Sequence, residues 1–276
     1  MNDIRLRVLS LGAGVQSTTL ALMAAAGELP MPDCAIFADT GWEPAAVYAH
    51  LDWLETVLPF PVHRVSRGNI LADVMTNMRG EMAAAKVQRA TIPVWTATLD
   101  GLSTPIHRTC TRRYKIEPII TKTAELAGIE LGRRAPKKPI AETWIGISTD
   151  EAGRMKPADT RWIEHRWPLI EAGLSRSACL RWFERHYPGR TLGKSSCVGC
   201  PYHSNAAWRE IKDTQPAAWV EACELDDAIR VGLPGMTGTA FLHRSLVPLR
   251  DADLRNWEER GQPDLFGNEC TGMCGT

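Results

Sequence analysis

Short apolar segments alternate with amphipathic segments over the first third of the chain. Ile4 to Leu9, Cys34 to Ala38 and Val62 to Val65 have the length and the apolar content of buried strands. Between them, Thr18 to Ala26 and Pro44 to Val57 repeat apolar residues at helical spacing. Alternating units of this kind predict an α/β fold, in which a parallel twisted sheet is flanked by helices.

The pattern is less regular further along. Residues 66 to 110 carry scattered glycines and prolines and predict a long excursion from the sheet. The remaining predicted elements are a helix over Lys115 to Ala127, a strand over Thr143 to Ser148, a helix over Ser175 to His186 and one or two helices over 204 to 230. We therefore expect an α/β nucleotide-binding domain over residues 1–170 and a helical, cysteine-rich C-terminal extension over residues 171–276.

The sequence SLGAGVQS, residues 10–17, joins the first predicted strand to the first predicted helix. Its glycines, Gly12 and Gly14, allow a tight turn and a close approach of a ligand to the backbone. The free N–H groups and the dipole at the start of a helix favour an anion there. The stretch lacks the Gly-Lys-Ser/Thr ending of a Walker A loop and the third glycine of a dinucleotide fingerprint. Taken alone, it is compatible both with an anion-binding loop and with an ordinary strand-to-helix turn.

Composition limits the classes of function. The chain has 32 basic and 32 acidic residues and a formal net charge of +0, which disfavours a surface built for non-specific nucleic-acid binding. No apolar run is long enough to cross a bilayer, and the first ten residues are too charged for a signal peptide. We expect a cytoplasmic protein with no membrane partner. Its eight cysteines are then metal ligands or redox thiols rather than structural disulfides.

Four segments, taken in order, resemble the motifs of one family. They are Ser10–Ser17, Phe37–Pro44 (FADTGWEP), Cys110–Pro118 (CTRRYKIEP) and Trp144–Arg154 (WIGISTDEAGR). This set resembles the phosphoadenylyl-sulfate (PAPS) reductase branch of the PP-loop, or adenine-nucleotide alpha-hydrolase, superfamily. The region after about residue 175 is similar to relatives of the phage and mobile-element type. The resemblance implies a HUP-like fold that binds ATP or PAPS, and the nucleotide can bind together with Mg²⁺.

The resemblance also implies roles for individual residues. Lys115 and Arg154 are implied to act in catalysis, as cations that hold phosphate or sulfate. For these cations a solvated helix face is the alternative, and for Asp39 the alternative is a turn cap. The basic loop of residues 132–139 lies outside the matched segments and is either a surface loop or a nucleic-acid contact. The residues implied to bind the nucleotide are Ser10, Gly12, Gly14, Val15, Gln16, Ser17, Asp39, Thr40, Gly41, Arg113 and Gly146.

The cysteine spacing gives the strongest local signal for chemistry. Cys197 and Cys200 form a C-x-x-C knuckle, which holds two thiolates on one metal or forms a redox pair. The resemblance implies a 4Fe–4S cluster held by this knuckle together with Cys110. We expect Cys179 to be the fourth ligand, and the C-terminal tail is the alternative. The alternative to a cluster is a tetrahedral zinc site. It would combine the knuckle with two of Cys270, Cys274 and His203.

The C-terminal tail suggests the reaction. Glu269-Cys270 resembles the start of the Glu-Cys-Gly motif that supplies a catalytic thiolate in the reductases, although Thr271 replaces the glycine. Two reactions are compatible with this pattern: reduction of an adenylyl sulfate, and cleavage of ATP to AMP and pyrophosphate to activate a substrate for sulfur transfer. The expected partners are a thiol reductant or sulfur-donor protein and a DNA or tRNA acceptor. A catalytically inactive nucleotide- or metal-binding regulatory subunit is the alternative.

Overall fold

The computed structural model describes residues 4–78, 92–97, 103–105, 109–130, 135–230, 238–255 and 259–261. The strands in these ranges are β1 (Leu6–Ser10), β2 (Cys34–Asp39), β3 (Val62–Ser66), β4 (Trp95–Ala97), β5 (Ser103–Pro105), β6 (Ala141–Ile145), β7 (Ile163–Arg166) and β8 (Ala240–Phe241). The helices are α1 (Val15–Ala25), α2 (Ala45–Val57), α3 (Ile70–Met78), α4 (Glu117–Leu126), α5 (Pro168–Glu171), α6 (Arg176–His186), α7 (Asn205–Thr214) and α8 (Pro216–Arg230).

The main sheet has five strands in the order β3-β2-β1-β6-β7, and each neighbouring pair is parallel. In its register Ser10 lies opposite Ile145, and Asp39 lies opposite Ser66. The carboxyl ends of β1, β2, β3 and β6 therefore meet at one edge, which is where ligands bind in open α/β sheets. The predicted α/β fold with a parallel sheet flanked by helices is confirmed.

The two faces of this sheet are covered by different helices. Leu9 is buried in a core cluster with Leu20 of α1, and this cluster also receives residues from α2 and α6. Val8 points the other way and packs with Ile36 and with Ile119 of α4. The alternation follows the two-residue period of a strand. Full burial of each such side chain stabilises the fold by roughly 1.5–3 kcal/mol.

The region after residue 170 takes part in the same packing. Cys179 and Phe183 of α6 belong to the core cluster of Leu9, so this cluster spans both sides of the predicted domain boundary. A second cluster forms around Trp208 and Ile229 and includes residues of α3, α7 and α8. An antiparallel sheet in the order β5-β4-β8 joins the middle of the chain to this second cluster.

Several elements differ from the sequence prediction, and α3 and β7 are two of them. Helix α3 lies inside the segment that was predicted as a long excursion, and it buries Ile70 and Val74, four residues apart. The glycines on both sides of α3 obscured this short period. Strand β7 was not predicted, because it has only four residues and so gives a weak sequence pattern. Among the described residues, no helix combines the length and the apolar character needed to span a membrane.

Candidate functional site

A cleft of about 380 Å³ lies at the carboxyl edge of the main sheet. Residues from the loop after β1, the end of β6, the start of α4 and the segment 156–160 form its walls. Of the predicted site residues, the cleft brings together Ser10, Gly12, Gly14, Val15, Gln16, Ser17, Lys115, Gly146 and Arg154. Asp39, Thr40, Gly41 and Arg113 are not part of its lining.

The loop after β1 presents the start of a helix to this cleft. Helix α1 begins at Val15, and the first N–H groups of a helix have no partner within it. The Ser17 hydroxyl accepts a hydrogen bond from the Gly12 N–H at 3.2 Å and donates one to the Gly14 carbonyl at 3.3 Å. The left-handed residue of the turn is Ala13, with φ of 53°, rather than either glycine. The loop is therefore held in shape from within, with backbone donors at its tip.

Gly146 allows the end of β6 to touch this loop. A Cβ atom added at Gly146 would lie 2.7 Å from the backbone nitrogen of Ser17 and 2.9 Å from its Cα. Real Cβ atoms do not approach backbone this closely, so only glycine fits between β6 and the first turn of α1. The matched motif marked this position, and the structure gives a packing reason for it.

Gln16 connects the loop to two other elements. Its Nε2 donates to Oε2 of Glu151 at 2.9 Å, and its Oε1 accepts a hydrogen bond from Nη1 of Arg176 at 2.7 Å. Arg154 donates to the other oxygen of Glu151 at 2.7 Å. Arg176 and Lys194 also line the cleft, although both come from the region predicted as an extension. The sequence signal for Arg176 was its place at the start of a helix, after the capping residue Ser175.

Lys115 lies in a π-helical turn, Arg112–Ile116, that precedes α4. Such turns are frequent at functional sites. The Nζ atom of Lys115 lies 3.8 Å from Oε1 of Glu43, a buried carboxylate. The hydroxyl of Thr40 donates to the same oxygen at 2.9 Å. Sequence reasoning missed Glu43, because it occupies an unspecified position of the matched motif.

Asp39 organises the turn after β2. Its Oδ1 accepts hydrogen bonds from the Gly41 N–H at 2.7 Å and from the Tyr48 hydroxyl at 2.8 Å. Burial, together with the hydrogen bond to Asp39, raises the pKa of Tyr48 to about 12. Gly41 has φ of 71°, and a Cβ there would lie 2.9 Å from the Cα of Asn69. These contacts match the turn-cap alternative for Asp39, and its role in nucleotide binding stays a prediction.

A smaller cavity of about 40 Å³ adjoins the cleft, and Lys115 lines both. Cys110, Cys197 and Cys200 line this cysteine cavity together with Thr40 and Trp42. The Cys200 N–H donates to the Cys197 carbonyl at 3.0 Å and closes the knuckle. None of the three forms a disulfide.

Cys179, the fourth predicted ligand, lies elsewhere. It is fully buried in α6, within the core cluster that covers the sheet, and does not line the cysteine cavity. Burial raises the pKa of its thiol to about 11, which disfavours the thiolate that a metal site requires. The prediction that Cys179 joins the knuckle is not supported by this position.

The described cysteines do not by themselves form a metal site. Within the described ranges, no group of three or more His, Cys, Asp and Glu side chains is placed to hold a metal ion. His203 uses both ring nitrogens in hydrogen bonds, at 3.0 Å to the Cys197 carbonyl and 3.4 Å to the Ser196 hydroxyl. The predicted catalytic Cys270 and the zinc candidate Cys274 lie outside the described residues. We therefore derive no chemical step through a cluster or a zinc ion.

Buried histidines should make the stability of the protein depend on pH. Burial lowers the pKa of His203, His50 and His243, each to about 4. The unfolded chain, with histidine pKa values of about 6.5, takes up protons first as the pH falls, so the free energy of unfolding should decrease between about pH 6.5 and pH 4. Urea unfolding over this range should show a smaller decrease for His203→Gln than for the surface control His186→Gln. If the free energy of unfolding decreases equally in the two variants, the buried His203 does not cause the pH dependence.

Comparison with known proteins gives likenesses to solved structures only. No protein-family model matches the chain, and no curated protein is significantly similar to it. A solved structure with a related arrangement is the crystal structure of PAPS reductase from Candida auris, phosphate complex. The identity is 13%, the match covers 69% of this chain and 82% of that chain, and the TM-score is 0.39. Similarity at this level defines neither substrate nor reaction, so function has to be inferred from the cleft and its residues.

Proposed function

We propose that the chain is an adenine-nucleotide-dependent enzyme of the PAPS reductase type, which binds the charged end of ATP or PAPS at the loop of residues 10–17. The observation that carries this proposal is the cleft itself, where the start of α1 and five cationic side chains border one space. Three of them, Lys115, Arg154 and Arg176, come from different helical elements, and the other two are Lys156 and Lys194. Backbone N–H groups at a helix start, combined with guanidinium and ammonium groups, suit phosphate or sulfate.

The cleft also offers a surface for an adenine ring. Its apolar lining includes Ile116, Ile119, Ile145 and Ile147. Ligand pockets commonly combine an apolar wall with a few converging polar groups. A nucleotide, with a flat apolar base and an anionic end, has this combination of properties.

We further propose that the reaction is a sulfur reaction, because the cysteine cavity adjoins the cleft through Lys115. One form is reduction of an adenylyl sulfate, in which a thiolate, with Cys270 as the predicted nucleophile, attacks the sulfate sulfur and the nucleotide phosphate leaves. The other is attack of an acceptor on the α-phosphorus of ATP, with release of pyrophosphate, followed by sulfur transfer. Mg²⁺, a cluster or zinc, a thiol reductant or sulfur donor and a DNA or tRNA acceptor belong to this proposal as predictions.

Single-turnover reactions test the proposal and separate its two forms. Incubation with PAPS should release adenosine 3′,5′-bisphosphate and leave an S-sulfonate on the enzyme thiol if the protein is a reductase, and an added dithiol should then release sulfite as the thiol becomes a disulfide. Incubation with ATP and an acceptor should release pyrophosphate and AMP if it activates a substrate. Calorimetry with both nucleotides measures binding independently of turnover. Absence of binding to both nucleotides by folded protein would refute the proposed function.

Arg176 should contribute to nucleotide affinity, although it lies in the predicted extension. Arg176→Gln is expected to raise the nucleotide Kd about tenfold, because a hydrogen bond to a charged group contributes roughly 1.5–3 kcal/mol. Arg181→Gln is the matched control, since Arg181 is an exposed residue of the same helix and lies outside the cleft lining. Calorimetric titration with ATP and PAPS measures both. Equal losses in the two variants would show that Arg176 acts only through the net charge of α6.

A further inference from the structure

The turn between β2 and α2 carries a buried carboxylate that the proposed function does not use. The Glu43 side chain is 1% exposed, and its Oε1 accepts the Thr40 hydroxyl while lying 3.8 Å from Nζ of Lys115. Its Oε2 is buried and has no hydrogen-bond partner among the described residues. A buried carboxylate is unfavourable unless an opposite charge offsets its desolvation, and Lys115 supplies that charge.

The turn that holds Glu43 is fixed on both sides. On one side, the Glu43 N–H donates to the Tyr48 hydroxyl at 3.4 Å, which in turn is bound to Asp39. On the other side, the Trp42 carbonyl accepts the Val198 N–H at 2.9 Å. Glu43 is therefore a fixed charge. Lysine, by contrast, has a long and flexible side chain whose ammonium needs an anchor to keep one position.

The position of the Lys115 ammonium affects two neighbouring spaces in the protein. It lines both the nucleotide cleft and the cysteine cavity, and its side chain is 23% exposed. Without an attraction from the protein side, a partly exposed ammonium turns towards water. The fixed carboxylate opposes this movement. The 3.8 Å between Nζ of Lys115 and Oε1 of Glu43 exceeds the length of a direct hydrogen bond. Glu43 therefore attracts the ammonium by its charge and does not accept a hydrogen bond from it.

We propose that Glu43 is a positioning residue, which anchors the Lys115 ammonium at the boundary between the cleft and the cysteine cavity so that its charge faces a bound anion. The inference rests on the proposed function, in that the anion is the charged end of the nucleotide. Thr40 completes the arrangement by fixing the carboxylate oxygen that faces Lys115.

Competitive acetylation with acetic anhydride tests the anchor without any ligand. Glu43→Gln keeps the shape and an oxygen that accepts the Thr40 hydroxyl, but removes the charge. The acetylation rate of Lys115 should rise about threefold in this variant, because loss of the neighbouring negative charge favours the uncharged, reactive amine. Lys122 is the internal reference, because it is similarly exposed, at 21%, and pairs with Glu125. An unchanged ratio of Lys115 to Lys122 in a folded variant would overturn the proposal.

A binding experiment tests the direction of the effect. Inorganic pyrophosphate should bind Glu43→Gln about threefold to tenfold more weakly than wild type, and Glu43→Asp should lie closer to wild type. In a Lys115→Gln background, Glu43→Gln should cause no further loss, whereas a merely structural role would weaken binding in both backgrounds. Unchanged or tighter binding in Glu43→Gln would overturn the positioning role. The two proposals can fail separately. If the wild-type protein binds neither pyrophosphate nor nucleotide, the proposed function is refuted. If Lys115 acetylation still responds to Glu43→Gln in that case, the anchoring of Lys115 by Glu43 stands.

Discussion

Gly146→Ala is expected to raise the nucleotide Kd by more than about tenfold while leaving the protein folded. The added Cβ would lie 2.7 Å from the backbone nitrogen of Ser17, a contact that no side-chain rotation can relieve. Overpacking of this kind costs about 1–3 kcal/mol. β6 is held between β1 and β7, so the loop at the start of α1 is the part that has to move. Its N–H groups would then no longer converge on the anion.

Gly153→Ala is the control for this change. Gly153 lies in the neighbouring turn Thr149–Arg154, and a Cβ there would meet no atom within 4 Å. Calorimetric titration with ATP and PAPS gives the affinities, and circular dichroism with thermal melting confirms the fold. Wild-type affinity in Gly146→Ala would mean that the loop of residues 10–17 is only a turn.

Gly199→Ala is expected to detach the cysteine knuckle from the turn after β2. A Cβ at Gly199 would lie 2.3 Å from the ring of Trp42. That ring cannot easily withdraw, because its Nε1 donates to Glu221 at 2.7 Å. We expect a loss of about 1–3 kcal/mol in the free energy of unfolding. We also expect faster reaction of Cys197 and Cys200 with a thiol reagent, since the wall of their cavity would be displaced.

Gly193→Ala provides the matched control in the same segment. A Cβ at Gly193 meets no atom within 4 Å, and its backbone is not in the left-handed region. Urea unfolding and the rate of thiol labelling should therefore stay at wild-type values. If Gly199→Ala shows unchanged stability and labelling, the contact between the knuckle and Trp42 does not constrain the cavity.

Strand β2 could be predicted from the sequence because it is a nearly continuous apolar run that turn residues follow. Lys115, Gly146 and Arg154 could be placed at the cleft because they stand in ordered motifs. Arg176 could not, since its bond to Gln16 joins residues 160 positions apart and no local pattern encodes it. Glu43 was missed for a related reason, because neither burial nor a distant lysine partner is visible in a short motif.

Cys179 illustrates how the period of a helix indicates the environment of a cysteine. It was the expected fourth cluster ligand, yet the helical period of α6 places it four residues before the buried Phe183. That period indicates a core-facing position, and the structure has it in the core. The amphipathic pattern of the helix was therefore the sequence signal for the position of Cys179.

The hydrogen bonds of Gln16 have a consequence for how the protein is made. They join the N-terminal loop to residues 135 and 160 positions later. Contacts of such long range close large loops and form late in folding. A nascent chain that has not yet exposed residue 176 lacks part of the nucleotide cleft. Nucleotide capture, and the stabilisation that binding gives, are therefore expected only after well over half of the chain has left the ribosome.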